Sequence, residues 1–259
     1  MSAVIFLCVF VFGTIVGSFL NVVLLRKNTG KSIVWEPSHC FSCDERLWPK
    51  DLIPIFSFLF FRGKCSHCGS KISLQYPIVE FLIGGLFLLV SNKISVFNFL
   101  SFVFYASSFS ALFLIAAYDF KQKIIDSNFF EIFTVFAITE AVLRWHPVFS
   151  FERISADLAS SFIIALFFYL AWRISGGRWM GRGDANLAFS AALFLGWPAS
   201  LSMFLVSFWI GGFFGAGLLI FYGRKYGLKS EIPFGPFLAI GTFILWYFGD
   251  FLSVFLRIW

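Results

Sequence analysis

Charge is what this chain has least of. Asp, Glu, Lys and Arg together make up 13% of its residues, whereas 59% are hydrophobic and 22% aromatic. Soluble domains carry about 25% charged residues, so that class is excluded and the sequence reads as a multi-pass membrane protein. Also missing is any concentrated basic helix or stripe, so the formal charge of +6 gives no support to nucleic-acid binding. The signals of a removed leader are absent too. No basic residue precedes the first apolar run, AVIFLCVFVFGTIVGSFLNVVLL, and no small-residue cleavage site follows a short apolar core. That run is expected to be a retained anchor.

What is present is a succession of greasy segments. A hydrocarbon core of about 30 Å takes roughly 17 to 25 apolar residues per helix. Charge-poor runs lie near 3–25, 77–92, 95–118, 128–143, 156–172, 186–197, 200–222 and 234–249, which predicts an all-α polytopic protein with about eight transmembrane helices. The sixth run is short, and Gly196, Trp197 and Pro198 part it from the seventh. Lys and Arg accumulate in cytoplasmic loops. Sixteen of the 20 follow runs one, three, five and seven, including Arg224, Lys225 and Lys229, and the other face keeps Lys93, Arg144, Arg153 and Arg257. The amino terminus is therefore expected outside, with the odd-to-even loops in the cytoplasm.

Three regions follow: a first transmembrane helix over 1–25, a polar cytoplasmic module over 26–76, and a membrane-embedded core over 77–259. The module holds HCFSC (39–43) and CSHC (65–68), two Cys-x-x-Cys pairs with 21 residues between them. A two-residue spacer lets both sulfurs of a tight turn face one point, so Cys40, Cys43, Cys65 and Cys68 are candidate ligands of a tetrahedral Zn(II) in a zinc-ribbon-like fold. A loop this small buries little core, and a structural metal supplies the missing folding free energy. A reducing cytoplasm favours thiolate ligands, with disulfides or free thiols the alternative. His39 and His67 flank the pairs, and Cys8 reads as packing within the first helix. The run LIPIFSFLFF (52–61) is too short to span and is expected to rest on the bilayer surface.

Two carboxylates share the predicted inner face. Asp119 stands where the third run leaves the membrane, and Asp184, in WMGRGDANLAF, stands where the sixth begins. Hydrolysis of a peptide bond needs such a pair: an ionised carboxylate takes a proton from water, and a protonated one gives a proton to the carbonyl oxygen and then to the leaving nitrogen. Gly181 and Gly183 permit close backbone approach to a substrate strand or another helix. Helix dipoles would make Asp184, near an amino end, the base and Asp119, near a carboxyl end, the acid. Taken singly, Asp184 reads equally as a helix N-cap and Asp119 as a solvated interfacial charge. Glu131 and Glu140, nine residues apart, point about 180° apart on a helix and do not converge. Asp126 is a loop neighbour able to tune Asp119. Glu80 is placed to line a cavity or to dock a cationic substrate.

Taken together, GSFLNVV (17–23), SHCFSC (38–43), DLIPIFSFLFFRGKCSHCGSKIS (51–73), YPIVE (76–80), YDFKQKIID (118–126), GRGD (181–184) and PFGPFLA (233–239) resemble the bacterial type IV prepilin leader peptidases, membrane aspartic peptidases, in order and almost end to end. The resemblance implies removal of the basic leader of prepilins and pseudopilins after a glycine at the cytoplasmic face. It also implies N-methylation of the exposed residue with S-adenosylmethionine, an activity associated in the family with the cysteine-rich loop. The family's catalytic aspartates fall on Asp119 and Asp184. Two departures stand out: Asp126 and Ser127 follow Ile125 where the family commonly has Pro-Asp or Pro-Asn, and Glu36 and Phe41 occupy common proline positions. Beside this reading stand a leader peptidase without methyltransferase activity and, in another class, a non-catalytic zinc-ribbon assembly or transport protein. A transporter, however, would spread its ionisable residues across the bilayer as a path.

Overall fold

A computed structural model describes residues 3–146, 149–222 and 233–256. Arg224, Lys225, Lys229 and Arg257 lie outside the described residues. The elements are helical: α1 Ala3–Arg26, α2 Phe56–Phe60, α3 Gln75–Lys93, α4 Phe99–Gln122, α5 Ser127–Trp145, α6 Phe151–Ser175, α7 Arg182–Leu195, α8 Ala199–Tyr222 and α9 Gly235–Leu256. The chain divides into two compact units, Met1–Ala106 and Ser107–Trp259.

In the first unit α1 packs along α3. The contact is made by backbone. Gly13 and Gly17 of the GTIVG stretch face α3 so closely that a Cβ on Gly13 would stand 2.9 Å from Gly84 Cα, and one on Gly17 would stand 2.8 Å from Glu80 Cα. In lipid there is little hydrophobic drive to bring helices together, and small residues four apart gain close van der Waals contact instead. Polar pins hold the same end: Asn21 Nδ2 donates to Tyr76 O (3.2 Å) and Gln75 Nε2 to Asn21 Oδ1 (3.3 Å). At the carboxyl end of α1 the Arg26 guanidinium donates to Ser32 O, Glu36 O and Pro37 O at 2.6–2.9 Å, which gathers the following loop around a buried charge.

In the second unit α7 is central, packed by α5, α6, α8 and α9. Its buried residues, Asp184, Ala185, Leu187, Ala188, Ser190 to Phe194, occupy most of its circumference, as expected of a helix enclosed by protein rather than lipid. The break at Gly196 is real, and it is shaped by Arg144. The Arg144 guanidinium donates to Leu193 O (2.8 Å) and Phe194 O (2.9 Å), capping α7, and pairs with Asp157 at 3.1 Å. A Cβ on Gly196 would fall 2.7 Å from the Arg144 Cζ. Asp157, 1% exposed, also accepts from Trp145 Nε1 (2.8 Å) and the Trp197 N–H (2.7 Å). Sequence reading treated Arg144 as a boundary charge and overlooked Asp157; neither has a periodic signature.

Among the described residues five helices are long and apolar enough to cross a membrane: α1, α3, α4, α6 and α8. The eight apolar runs each became a helix, but eight crossings are not thereby established. Helix α7, with 14 residues, is about 21 Å long, short of a hydrocarbon core of about 30 Å. The expectation that Cys8 packs internally is not met, since it lies exposed on α1.

Gly17→Leu is expected to lose about 1–3 kcal/mol by overpacking, read as a lower unfolding midpoint in mixed detergent micelles. Gly85→Leu, where a Cβ meets nothing within 4 Å, should leave the midpoint unchanged. Asp157→Ala strands a half-buried guanidinium and the Trp145 and Trp197 N–H groups, and should cost about 3 kcal/mol in the same measurement.

Candidate functional site

Two turns of like geometry build the cysteine cluster. In the first, the Cys40 N–H donates to Glu45 O (2.9 Å) and the Asp44 N–H to Cys40 O (2.9 Å); in the second, the Cys65 N–H donates to Ser70 O (2.8 Å) and the Gly69 N–H to Cys65 O (3.0 Å). Each turn closes through a left-handed residue, Asp44 at φ 59° and Gly69 at φ 70°, residue types that tolerate that region. Each is flanked by one antiparallel bridge, His39 with Arg46 and Lys64 with Lys71.

The four ligand atoms, Cys40, Cys43, Cys65 and Cys68 Sγ, all lie within 4.8 Å of one another, with Cys40 and Cys68 Sγ 3.9 Å apart. A tetrahedral ion with metal–sulfur bonds of about 2.3 Å sets its sulfurs about 3.8 Å apart, so the group fits one ion. The backbone N–H groups of Ser42 and Cys43 bring the Cys40 thiol down to about 6. Hydrogen bonds from Ser70 lower Cys68. The Cys43 thiol, although the Glu45 N–H favours its ionised form, is pushed up to about 12 by desolvation and by Cys68 and Cys40 beside it. Four neighbouring thiolates thus coexist only around a cation, and a bound metal deprotonates its thiols. Neither flanking histidine belongs to the group, and His39 Nε2 lies 3.0 Å from Lys31 Nζ.

The second unit holds a cavity of about 320 Å³ lined by Asp119, Asp184, Lys123, Ile124, Ile125, the loop from Gly177 to Gly183, and Pro233. Asp119 rides the last turn of α4, and Asp184 is the third residue of α7. They are 4% and 5% exposed, and they act on each other electrostatically. Asp119 Oδ2 accepts the Gly235 N–H at 3.0 Å, and Asp184 Oδ2 accepts the Gly181 N–H at 2.9 Å. Among the described residues no cationic side chain pairs with either carboxylate. The solvated-charge reading of Asp119 therefore fails, and Asp184 is not the N-cap, a place held by Gly181. The dipole argument also changes: Gly235 begins α9, so both acids receive an N–H from a helix amino end.

The glycines serve distinct purposes. A Cβ on Gly183 would meet Ile125 Cβ at 3.0 Å, so the close approach there is to the turn after α4. That turn lacks the proline common in the family and is made by Lys123 at φ 57°. A Cβ on Gly235 would stand 2.6 Å from Asp119 Oδ2. Sequence reading gave Gly235 no role, although PFGPFLA was a visible signal. Asp126 caps α5: its Oδ1 accepts from the Asn128 and Phe129 N–H groups. Glu80 lies in the first unit, buried beside the cysteine module, where it lines a larger cavity of about 520 Å³.

Comparison with known proteins covers most of the chain. The Bacterial Peptidase A24 N-terminal domain matches residues 11–94, and the Type IV leader peptidase family matches residues 106–216. Proteins named prepilin leader peptidase/N-methyltransferase are similar throughout. The one from Bacillus subtilis (strain 168) is 31% identical over 93% of each chain. Those from Aeromonas hydrophila and Pectobacterium carotovorum subsp. carotovorum are 28% and 29% identical, covering 95% and 89% of this chain and 91% and 88% of theirs. No solved structure matches.

Purified protein is expected to carry one divalent ion per chain by elemental analysis, lost from Cys65→Ser. Chelation should lower protease resistance in the 26–76 module first, because there metal binding is folding free energy.

Proposed function

This chain belongs to the type IV leader peptidase family, and on that basis we propose that it cuts the basic leader from type IV prepilins or pseudopilins and N-methylates the new amino terminus. Asp119 and Asp184 are the catalytic pair. The observation that carries this assignment is their joint presence in one cavity, both buried and neither neutralised by a cation. Two such carboxylates share protons as a unit. The ionised one takes a proton from water, the water oxygen bonds to the carbonyl carbon of the glycine, and the protonated one delivers its proton toward the carbonyl oxygen. Collapse breaks the C–N bond as the leaving nitrogen gains a proton. Lys123, Arg178 and Arg182 also line the cavity, and Gly181 and Gly183 bring the loop backbone to its wall.

The zinc-ribbon-like module over 26–76 is assigned to methyl transfer, and the core within 77–259 that carries Asp119 and Asp184 to hydrolysis. Zn(II) is the metal that suits four thiolates in a tetrahedron, where it supplies a fixed structural centre. S-adenosylmethionine, as methyl donor, supplies a methyl group on a sulfonium. The chain is read as a polytopic protein of the bacterial inner membrane with its amino terminus outside and up to eight crossings. Asp119, Asp184 and the module are assigned to the cytoplasmic side. A prepilin, a basic stub followed by an apolar helix, can then enter from the lipid and present its extended junction at the interface, which avoids unwinding a buried helix.

Asp119→Asn and Asp184→Asn are each expected to lower leader cleavage by about 10²–10⁴-fold, with the double variant no worse than the worse single one. Methylation of a pre-cut peptide should persist in both. Cleavage surviving in both variants would favour a scaffold, and leader loss without label transfer from a methyl donor would leave a peptidase alone.

A further inference from the structure

The larger cavity, in the first unit, contains a buried charge that the hydrolytic reading does not use. Its walls include the acids Asp51 and Glu80, the cations Arg26, Lys31, Lys64 and Lys71, and the rings of Phe58, Phe61 and Tyr76. At about 520 Å³ it falls in the range of small-molecule sites, about 300–1,000 Å³, and it combines aromatic faces with a few polar groups as such sites do. Glu80 is 6% exposed. Its Oε2 accepts the Ile55 N–H at 2.7 Å, and Ser18 supplies a second hydrogen bond. Of the cations in the wall, Arg26 is occupied by the carbonyls of Ser32, Glu36 and Pro37, and Lys31, Lys64 and Lys71 form no ion pair with Glu80. Glu80 therefore lacks an ionic partner among the described residues.

The backbone around Glu80 is strained. Ile55 adopts φ 62° and ψ −50°, the strained γ-turn conformation at positive φ that β-branched residues avoid. That conformation is what directs its N–H at the carboxylate. Strain of this kind persists where surroundings impose it, and it gathers at ligand sites. Here it fixes one oxygen of an acid that borders the cavity.

We propose that this cavity is the binding site of the cationic methyl donor, with Glu80 the counter-charge for its sulfonium and Phe58, Phe61 and Tyr76 the apolar and aromatic wall for its adenosyl part. The assignment rests on the methyl-transfer reading above. A carboxylate held by two neutral donors and left without a cation fits a positively charged guest, and a sulfonium is held by charge and by aromatic faces rather than by hydrogen bonds. The cysteine cluster borders the same cavity through Cys40 and Cys65, so the metal-held turns form part of its wall.

The test is equilibrium binding to the full chain in detergent, using labelled S-adenosylmethionine, sinefungin, whose ammonium replaces the sulfonium, and the neutral thioether S-adenosylhomocysteine. Glu80→Gln is expected to weaken the two cationic ligands by about thirtyfold or more and the neutral one by less than about threefold. Glu80→Asp should restore part of the difference. Ultraviolet crosslinking of methyl-labelled donor to the unaltered protein, which needs no variant to fold, should place label within residues 18–80. Unchanged donor affinity in Glu80→Gln, equal loss of all three ligands, loss confined to a pre-cut pilin peptide with its free amine, or label within 107–259 would each overturn the assignment. If the unaltered protein methylates and any of those results appears, only this site is wrong; if it neither binds donor nor methylates, the methyl-transfer reading falls as well.

Discussion

A carboxylate enclosed by protein and lipid must find its compensation inside the molecule, and how completely it does so divides the acids of this chain into two kinds. Asp157 is fully answered. It meets a guanidinium, an indole N–H and a backbone N–H, and removing any partner leaves a costly remainder. Asp119, Asp184 and Glu80 are buried to a similar degree, but each is met by neutral donors alone. A charge so sparsely compensated is expensive to keep, and all three border cavities. Incomplete compensation next to open space is the physical signature of a group reserved for something that arrives.

The scaffold around these groups relies on glycine contacts and end-capping more than on polar networks. Gly13 and Gly17 let α1 meet α3 at backbone distance, and Gly183 and Gly235 let the turn after α4 and the start of α9 approach the acids. Phenylalanine fills the remaining space, as where Phe109 meets Phe194, Phe243 and Trp246 edge-on or tilted. Such packing is dense without placing polar groups in hydrocarbon.

Much of this could be read from the residues, for identifiable reasons. The paired Cys-x-x-Cys spacing encodes its own geometry, because both turns are local and close through their own hydrogen bonds. Asp119 and Asp184 were linked through topology, since in a chain with so little charge the position of an acid at a run's end is informative. The donor from Gly235, the Arg144–Asp157 pair and the close contact at GTIVG depend on neighbours distant in sequence, and no periodicity announces them. Counting crossings from apolar runs also has a physical limit: α7 is apolar because protein surrounds it, and composition does not distinguish that from lipid.

The brevity of α7 bears on how a hydrolase in an oily medium obtains its second reactant. At 14 residues the helix falls roughly 9 Å short of a bilayer's hydrocarbon thickness. Its carboxyl end is tethered to α5 and α6 through Arg144 and Asp157. Its amino end carries Asp184 at the wall of the cavity of about 320 Å³, so the second reactant needs only the space beside a helix end and not a channel along one.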